Sequence, residues 1–187
     1  MASDSPPDAG GLYQSALHYL ARYAATEAGL RRVLAQKIDR WSRTQTDRDI
    51  AEPIIQSARA AIDGIVERLA QAGAISDTAF AETRARGLIR SGQSTRSIQA
   101  RLVAKGVTPE LARAASATDA DTELAAALVL VRKRRIGPYR LAEDADKAVR
   151  MKEMGLLARA GFSRDIAQQA LDTPRDEAEQ RIHDLRQ

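Results

Sequence analysis

Residues 94–115 read STRSIQARLVAKGVTPELARAA, and their punctuation decides the fold. Ser94 stands where a hydroxyl caps a helix, Ile98, Leu102 and Val103 follow at helical spacing, and Gly106 closes the segment. Thr108-Pro109-Glu110 then predicts a second start. It offers a hydroxyl cap, a proline at the first helical position, and an acid facing the positive end of the dipole. Leu111 and Ala115 carry the apolar side of that short helix. Upstream, Ser76 or Asp77 caps a helix containing Phe80, Ala81, Ala85 and Leu88, and Ser91-Gly92-Gln93 makes the turn out of it. Residues 76–117 are therefore expected to form one three-helix unit.

Shifting the chain against itself finds the unit again on either side. An offset of 68 brings Thr26 onto Ser94, Leu30 onto Ile98, Leu34 onto Leu102 and Lys37 onto Lys105. An offset of 55 brings Gly106 onto Gly161, Thr108 onto Ser163, Glu110 onto Asp165, Leu111 onto Ile166 and Ala115 onto Ala170. Caps, apolar anchors and closing glycines coincide, so the class is all-α with tandem three-helix repeats in three degenerate copies, each packing on its neighbours. The expected organisation is a flexible N-terminus over 1–11, repeats over 12–73, 76–117 and 121–171, and a polar, loosely held tail over 172–187. In the first repeat, Leu12, Ala16, Tyr19 or Leu20, and Tyr23 mark one apolar stripe. Residues 42–52 read as a polar link, and Pro53 suits the first turn of a third helix that ends at Gly73. In the third repeat, Asp121 opens a helix that runs into Arg132-Lys133-Arg134-Arg135, and two further helices cover Met151 to Ala160 and Arg164 to Leu171.

Composition narrows the function classes. The chain has 187 residues, 44% hydrophobic and 29% charged, which suits a packed globular protein. Cysteine is absent, which excludes disulfides, thiolate nucleophiles and cysteine metal sites. His18 and His183 are the two imidazoles, far apart in sequence and expected in surface or packing roles. No glycine cradle for nucleotide phosphates and no G-x-S-x-G elbow occurs. The carboxylate pairs Asp144 with Asp146 and Asp176 with Glu177 sit beside helix starts, where capping explains them better than acid/base work. No metal, cofactor or catalytic residue is expected, and catalysis is the weakest class. The longest apolar run, Leu124 to Val131, is too short for a membrane span, and Met1 to Gly11 shows no secretory pattern, so the expected address is cytoplasmic. Among the aromatics, Tyr19, Tyr23 and Phe80 fit core packing. Trp41 is ambiguous, and Tyr139 sits in the basic turn RIGPYR as the aromatic least suited to a core.

Charge points to a partner. Formal net charge is +4, yet residues 80–140 carry twelve Lys/Arg against five Asp/Glu while both flanks are near neutral or slightly acidic. Such a field concentrates polyanions, whether nucleic acid or an acidic protein surface. An arginine-rich composition with many alanines reads the same cluster as a solvated face.

Several words taken together resemble the RecX family of regulators of the RecA recombinase. They are Gly73-Ala74-Ile75-Ser76-Asp77-Thr78-Ala79-Phe80-Ala81, then Arg90-Ser91-Gly92, then Ile98-Gln99-Ala100-Arg101-Leu102-Val103-Ala104-Lys105-Gly106-Val107. Upstream, Ala16-Leu17-His18-Tyr19-Leu20-Ala21-Arg22 and Leu30-Arg31-Arg32-Val33-Leu34 resemble the family's opening helices. Gln93-Ser94-Thr95 departs from the Gly-Pro type of turn common there, and the link after Trp41 is long. The resemblance implies an elongated, curved array with no enzymatic activity. It would bind the groove of the RecA filament on DNA and inhibit ATP hydrolysis, strand exchange and co-protease activity, modulating recombination, DNA repair and the SOS response. Implied partners are the RecA filament and, more weakly and directly, single- or double-stranded DNA; a monomer is the expected state. The expected contact residues are Arg84, Arg86, Arg90, Arg96, Arg101, Lys105, Arg132, Lys133, Arg134, Arg135 and Arg140. Two other classes stand beside this one: a basic helical module that binds DNA alone, and a hydrolase or transferase whose acid or base the sequence does not reveal.

Overall fold

The computed structural model describes residues 6–141 and 146–187. The first five residues of the N-terminal segment, and Asp144 of the carboxylate pair, lie outside the described residues. Everything described is helix or short connection: ten α-helices and one 3-10 turn, with no strand among the described residues. The all-α class read from periodicity holds. Contacts gather the chain into two compact units, the first built from Met1–Phe80 with Lys105–Val107 and the second from Ala81–Ala104 with Thr108–Gln187.

The first unit contains α1 (Ala9–Leu20), α2 (Glu27–Ser42) and α3 (Arg48–Gln71). Each starts at a side-chain cap, which satisfies N–H groups that have no partner within the helix. Asp8 accepts from Gly11 N at 2.7 Å, Thr26 from Gly29 N at 2.9 Å, and Asp47 from both Asp49 N and Ile50 N. Leu12 and Ala16 of α1, Leu30, Leu34 and Ile38 of α2, and Ile55, Ala58, Ile62, Ile65, Val66 and Leu69 of α3 close one core. Each large aliphatic buried there contributes about 1.5–3 kcal/mol.

Three boundaries in this unit differ from the sequence reading. The Asp8 cap starts α1 at Ala9, inside the segment expected to be flexible. Helix α1 stops at Leu20, so Tyr23 falls beyond it and is 57% exposed, stacked at 5.1 Å on the half-buried Tyr19. Helix α3 begins at Arg48, five residues before Pro53, because Asp47 caps it and its first turn already buries Ala51. Pro53 thus lies inside a 24-residue helix, just past its first turn, where it removes one intrahelical hydrogen bond and its ring crowds the carbonyl one turn back.

The second unit takes most of α4 (Asp77–Arg90) and all of α5 (Thr95–Ala104), α6 (Pro109–Ser116), α7 (Ala120–Arg134), the 3-10 turn Gly137–Tyr139, α8 (Lys147–Arg159), α9 (Arg164–Asp172) and α10 (Arg175–Asp184). Helix α7 is its axis, with Leu124 through Val129 and Val131 buried. Around it pack Leu157 of α8, Ile166, Ala167, Ala170 and Leu171 of α9, and Ala178 and Ile182 of α10. The last pair corrects the expectation of a loose tail: two small or branched apolar residues four apart are enough to seat one helical turn on the core. Asp146 caps α8 by accepting from Val149 N at 2.7 Å, and Asp176 and Glu177 occupy the first turn of α10, as a dipole argument predicts.

One hydrogen-bonded joint occurs in each unit. In the first, the Thr26 hydroxyl that caps α2 donates to the Lys105 carbonyl at 2.6 Å, and Glu27 N donates to the Asp77 carboxylate at 2.8 Å. In the second, the Ser94 hydroxyl that caps α5 donates to the Ala160 carbonyl at 2.6 Å, and Thr95 N donates to the Glu123 carboxylate. The capping residues are 68 apart and the carbonyls 55 apart, the same two offsets that relate the sequence copies. A cap hydroxyl can serve both ends of the contact because it has one proton to give and lone pairs to receive.

Candidate binding surface

Basic side chains divide by what the fold already asks of them. Of the eleven expected contact residues, Lys105 belongs to the first unit, where its carbonyl accepts from Thr26 and Arg32 while its side chain is exposed. The other ten lie in the second unit. Arg84, Arg86 and Arg90 are exposed on α4, and Arg96 and Arg101 on α5; none of these five forms an ion pair among the described residues.

The run after Val131 is split four ways. Arg132 is held by Glu179 of α10 at 2.8 Å. Lys133 donates its ammonium to the Ser91 carbonyl, closing the C-terminus of α4. Arg134 is exposed on the last turn of α7. Arg135 ends the helix in the left-handed region at φ +54, the only non-glycine residue with positive φ among the described residues. Ile136 N then reaches back to the Val131 carbonyl at 3.2 Å, a closing pattern that other helices here build with Gly73, Gly92 and Gly161. An arginine in that conformation costs about 1–2 kcal/mol relative to glycine.

Arg140 is the member that structure explains without a partner. Its guanidinium grips the buried Glu153 carboxylate, which also receives Gly137 N at 3.4 Å. Glu153 is 6% exposed, so the pair fixes the 3-10 turn to α8. Beside it, Tyr139 is buried in the core at 8% exposure, correcting the expectation that this aromatic stands apart. The glycine and proline before it turn the ring inward, and Arg175 lies over it at 5.6 Å. Burial first, and then the neighbouring Glu179 carboxylate, push the phenol up to about 12. The hydroxyl nevertheless makes no well-formed hydrogen bond. The Glu179 carboxyl is held below its usual range: burial works the other way but is outweighed by Tyr139 and Arg132.

Three of the expected residues do converge. Arg96 and Arg101 of α5 and Arg134 of α7 line one groove of about 590 Å3 together with Arg159, the last residue of α8. No carboxylate among the described residues lines it. Arg159 was missed in the sequence reading, although the signal existed. The offset that sets Gly161 on Gly106 places the end of α8 beside Ser94 just as the end of the preceding copy lies beside Thr26. His18 and His183 are both exposed, and no cluster of three or more metal-ligating side chains occurs among the described residues. No helix among the described residues is long and apolar enough to cross a membrane.

Residues 76–115, which supply α4 to α6, match the family pattern described as RecX, second three-helix domain. The chain is 37% identical over 164 residues to a Regulatory protein RecX of Myxococcus xanthus (strain DK1622), covering 87% of this chain and 84% of that protein. The chain belongs to the RecX family. A Regulatory protein RecX of Agrobacterium fabrum (strain C58 / ATCC 33970) is 34% identical over 154 residues, covering 76% of this chain and 82% of that one. The fold is shared with the crystal structure of RecX from Lactobacillus salivarius at a TM-score of 0.62 and 20% identity, over 96% of this chain and 99% of that one. Both curated relatives carry the name of a regulatory protein.

Proposed function

We propose that this chain restrains the RecA filament on DNA, suppressing ATP hydrolysis, strand exchange and co-protease activity and so damping recombination, repair and the SOS response. It acts by binding, as a monomer in the cytoplasm, and makes or breaks no covalent bond. The observation that carries this reading is the set of arginines on α4, α5 and the end of α7 that meet no carboxylate among the described residues, within a chain whose curated relatives are regulatory proteins. Exposed cations of one sign steer encounter with a nucleoprotein polyanion, and charge-assisted hydrogen bonds to phosphate or carboxylate oxygens offset the cost of taking them out of water. Arg135 adds weight, since a residue kept in a costly backbone conformation where glycine would serve suggests that its side chain is needed.

The contact set narrows accordingly. Arg84, Arg86, Arg90, Arg96, Arg101, Lys105, Arg134 and Arg135 present their charge outward, whereas Arg132, Lys133 and Arg140 serve the fold first. The deciding measurement is RecA ATP hydrolysis on single-stranded DNA with this chain added below one molecule per recombinase. A fall in rate is expected. Unchanged turnover with tight, salt-steep binding to naked DNA would replace this reading with that of a DNA-binding module acting alone.

A further inference from the structure

We infer that α10 is a releasable strap that withholds Arg132 from the partner until an anionic surface competes with Glu179 and lifts the helix away. The inference rests on the proposed function for its biological setting and deepens it by naming a contact residue that the free chain keeps engaged. Helix α10 begins without a cap. Each of the other nine α-helices among the described residues starts at a side chain that accepts from an N–H of its first turn, whereas Pro174 offers none. Its apolar seat is also small. Of its ten residues Ala178 and Ile182 are buried, against four of nine in the preceding α9. Two side chains, one of them alanine, remove little apolar surface from water beside the entropy lost in ordering ten residues. Thr173 and Pro174, both extended, make the connection, and Thr173 N stays bonded to the Gln169 carbonyl at 2.8 Å, so α10 can leave without unravelling α9.

The rest of the hold is polar and open to water. Glu179 meets Arg132 in the last turn of α7 at 2.8 Å, and Arg181 meets Asp121 in its first turn at 3.0 Å. The side chains of Glu179 and Asp121 are 45% and 86% exposed, so salt screens both pairs and a competing ion can reach them. Under Arg175 the Tyr139 hydroxyl makes no well-formed hydrogen bond, so the ring adds no strong polar tie to α10. A phosphate or carboxylate oxygen presented to Arg132 offers the guanidinium the same charge-assisted contact that Glu179 gives it. The exchange costs the chain only the shallow seat of α10, and it adds Arg132 to the exposed cations Arg134 and Arg135 at the end of α7. Arg132 thus serves the fold in the free chain and the partner in the bound one. Until release, the docked population lowers the apparent affinity of the chain.

The test joins hydrogen exchange, binding of heparin as a generic polyanion, and RecA ATPase. In the intact chain alone, α10 amides should open at least about tenfold more often than those of α7, and about fivefold more often again in about 1 M salt, which screens both pairs. Glu179→Gln should strengthen heparin binding about threefold more than Asp176→Asn, a control of equal charge change on the same helix with no ion pair among the described residues. With Arg132→Gln in place that difference should vanish, since no cation is left to release. The chain has no cysteine, so Asp121→Cys with Arg181→Cys can be joined by a short bis-maleimide, which pins α10 without changing net charge. The cross-linked chain should bind heparin and inhibit RecA ATPase about threefold more weakly than the same variant left unjoined. Equal gains from Glu179→Gln and Asp176→Asn overturn the inference, as do α10 amides that exchange as slowly as those of α7, or a cross-link that leaves heparin binding unchanged. An intact chain that never inhibits RecA, with exchange and heparin results as expected, sinks the proposed function alone. Inhibition by the intact chain that neither the cross-link nor Glu179→Gln alters sinks the strap alone.

Discussion

A methyl group placed on Gly161 would lie 2.5 Å from the hydroxyl oxygen of Ser94, closer than any real side-chain carbon sits. Gly161 also has φ +95, so an alanine there is strained twice, once by its backbone and once by the cap it pushes aside. Gly73, at φ +71, has nothing within 4 Å and isolates the first of these costs. Gly73→Ala should lower stability by about 1–2 kcal/mol, and Gly161→Ala by about 1–3 kcal/mol more. Urea unfolding of the two variants measures the difference, and equal midpoints would mean that the joint yields without cost.

The same joint is tested from its other side by Ser94→Ala. Removing the hydroxyl deletes a cap worth about 1 kcal/mol and leaves the Ala160 carbonyl without its donor, a further loss of about 1–3 kcal/mol. Ser94→Thr should restore nearly all of it, because threonine holds the corresponding position at residue 26. Thermal unfolding followed by circular dichroism reads both variants; a threonine variant no better than the alanine one would show that the two joints are not interchangeable.

Glu153 and Arg140 form the most buried ion pair among the described residues, with side chains 7% and 20% exposed. Glu153→Ala strands the guanidinium and should destabilise by about 3–5 kcal/mol. Glu153→Leu combined with Arg140→Met should recover most of that, since the penalty comes from an uncompensated charge and not from lost attraction. A single-variant loss below about 1 kcal/mol would class this pair with exposed ones.

Alkaline pH should act through Tyr139. Its folded-state value is raised from 10.0 to about 12, so the fold favours the neutral phenol. That contribution is complete below pH 10.0 and disappears as pH rises through about 12. The melting temperature of the intact chain should therefore fall across this window more steeply than that of Tyr139→Phe. The highest step in the phenolate absorbance titration should vanish in the variant; a titration curve unchanged by the substitution would remove Tyr139 as its source.

Arg135 sets stability against binding. Arg135→Gly should stabilise the protein by about 1 kcal/mol, by releasing the left-handed strain, while weakening inhibition of RecA ATPase. Arg134→Glu with Arg135→Glu should weaken inhibition further and leave helicity intact, whereas reversing Arg132 as well would collide with Glu179 and confuse folding with function. Full inhibition by the glycine variant would make the strained arginine an accident of the turn.

Much of this architecture was legible because capping is local. Thr26, Ser94, Thr108 and Ser163 announce helix starts within three residues, and the two offsets relate copies whose joints are chemically alike. Tyr139 escapes a local reading because its turn packs on both α7 and α9, with Arg175 of α10 over the ring, and the pattern around RIGPYR carries no sign of α9 or α10. Pro53 suits a helix start, where proline is common, yet the Asp47 cap upstream sets the beginning of α3. At the candidate surface, positive charge was visible as a count over residues 80–140. Which cations remain available was not, since the carboxylates that occupy Arg132 and Arg140 lie 47 and 13 residues away.

The break at Arg135 has a practical bearing on how basic words in proteins are tested. Four neighbours in the chain become a clamp, a plug, a lining and an overhang, and a synthetic peptide spanning them would reproduce the charge while abolishing this division of labour. Only the folded chain can report which of the four a partner meets.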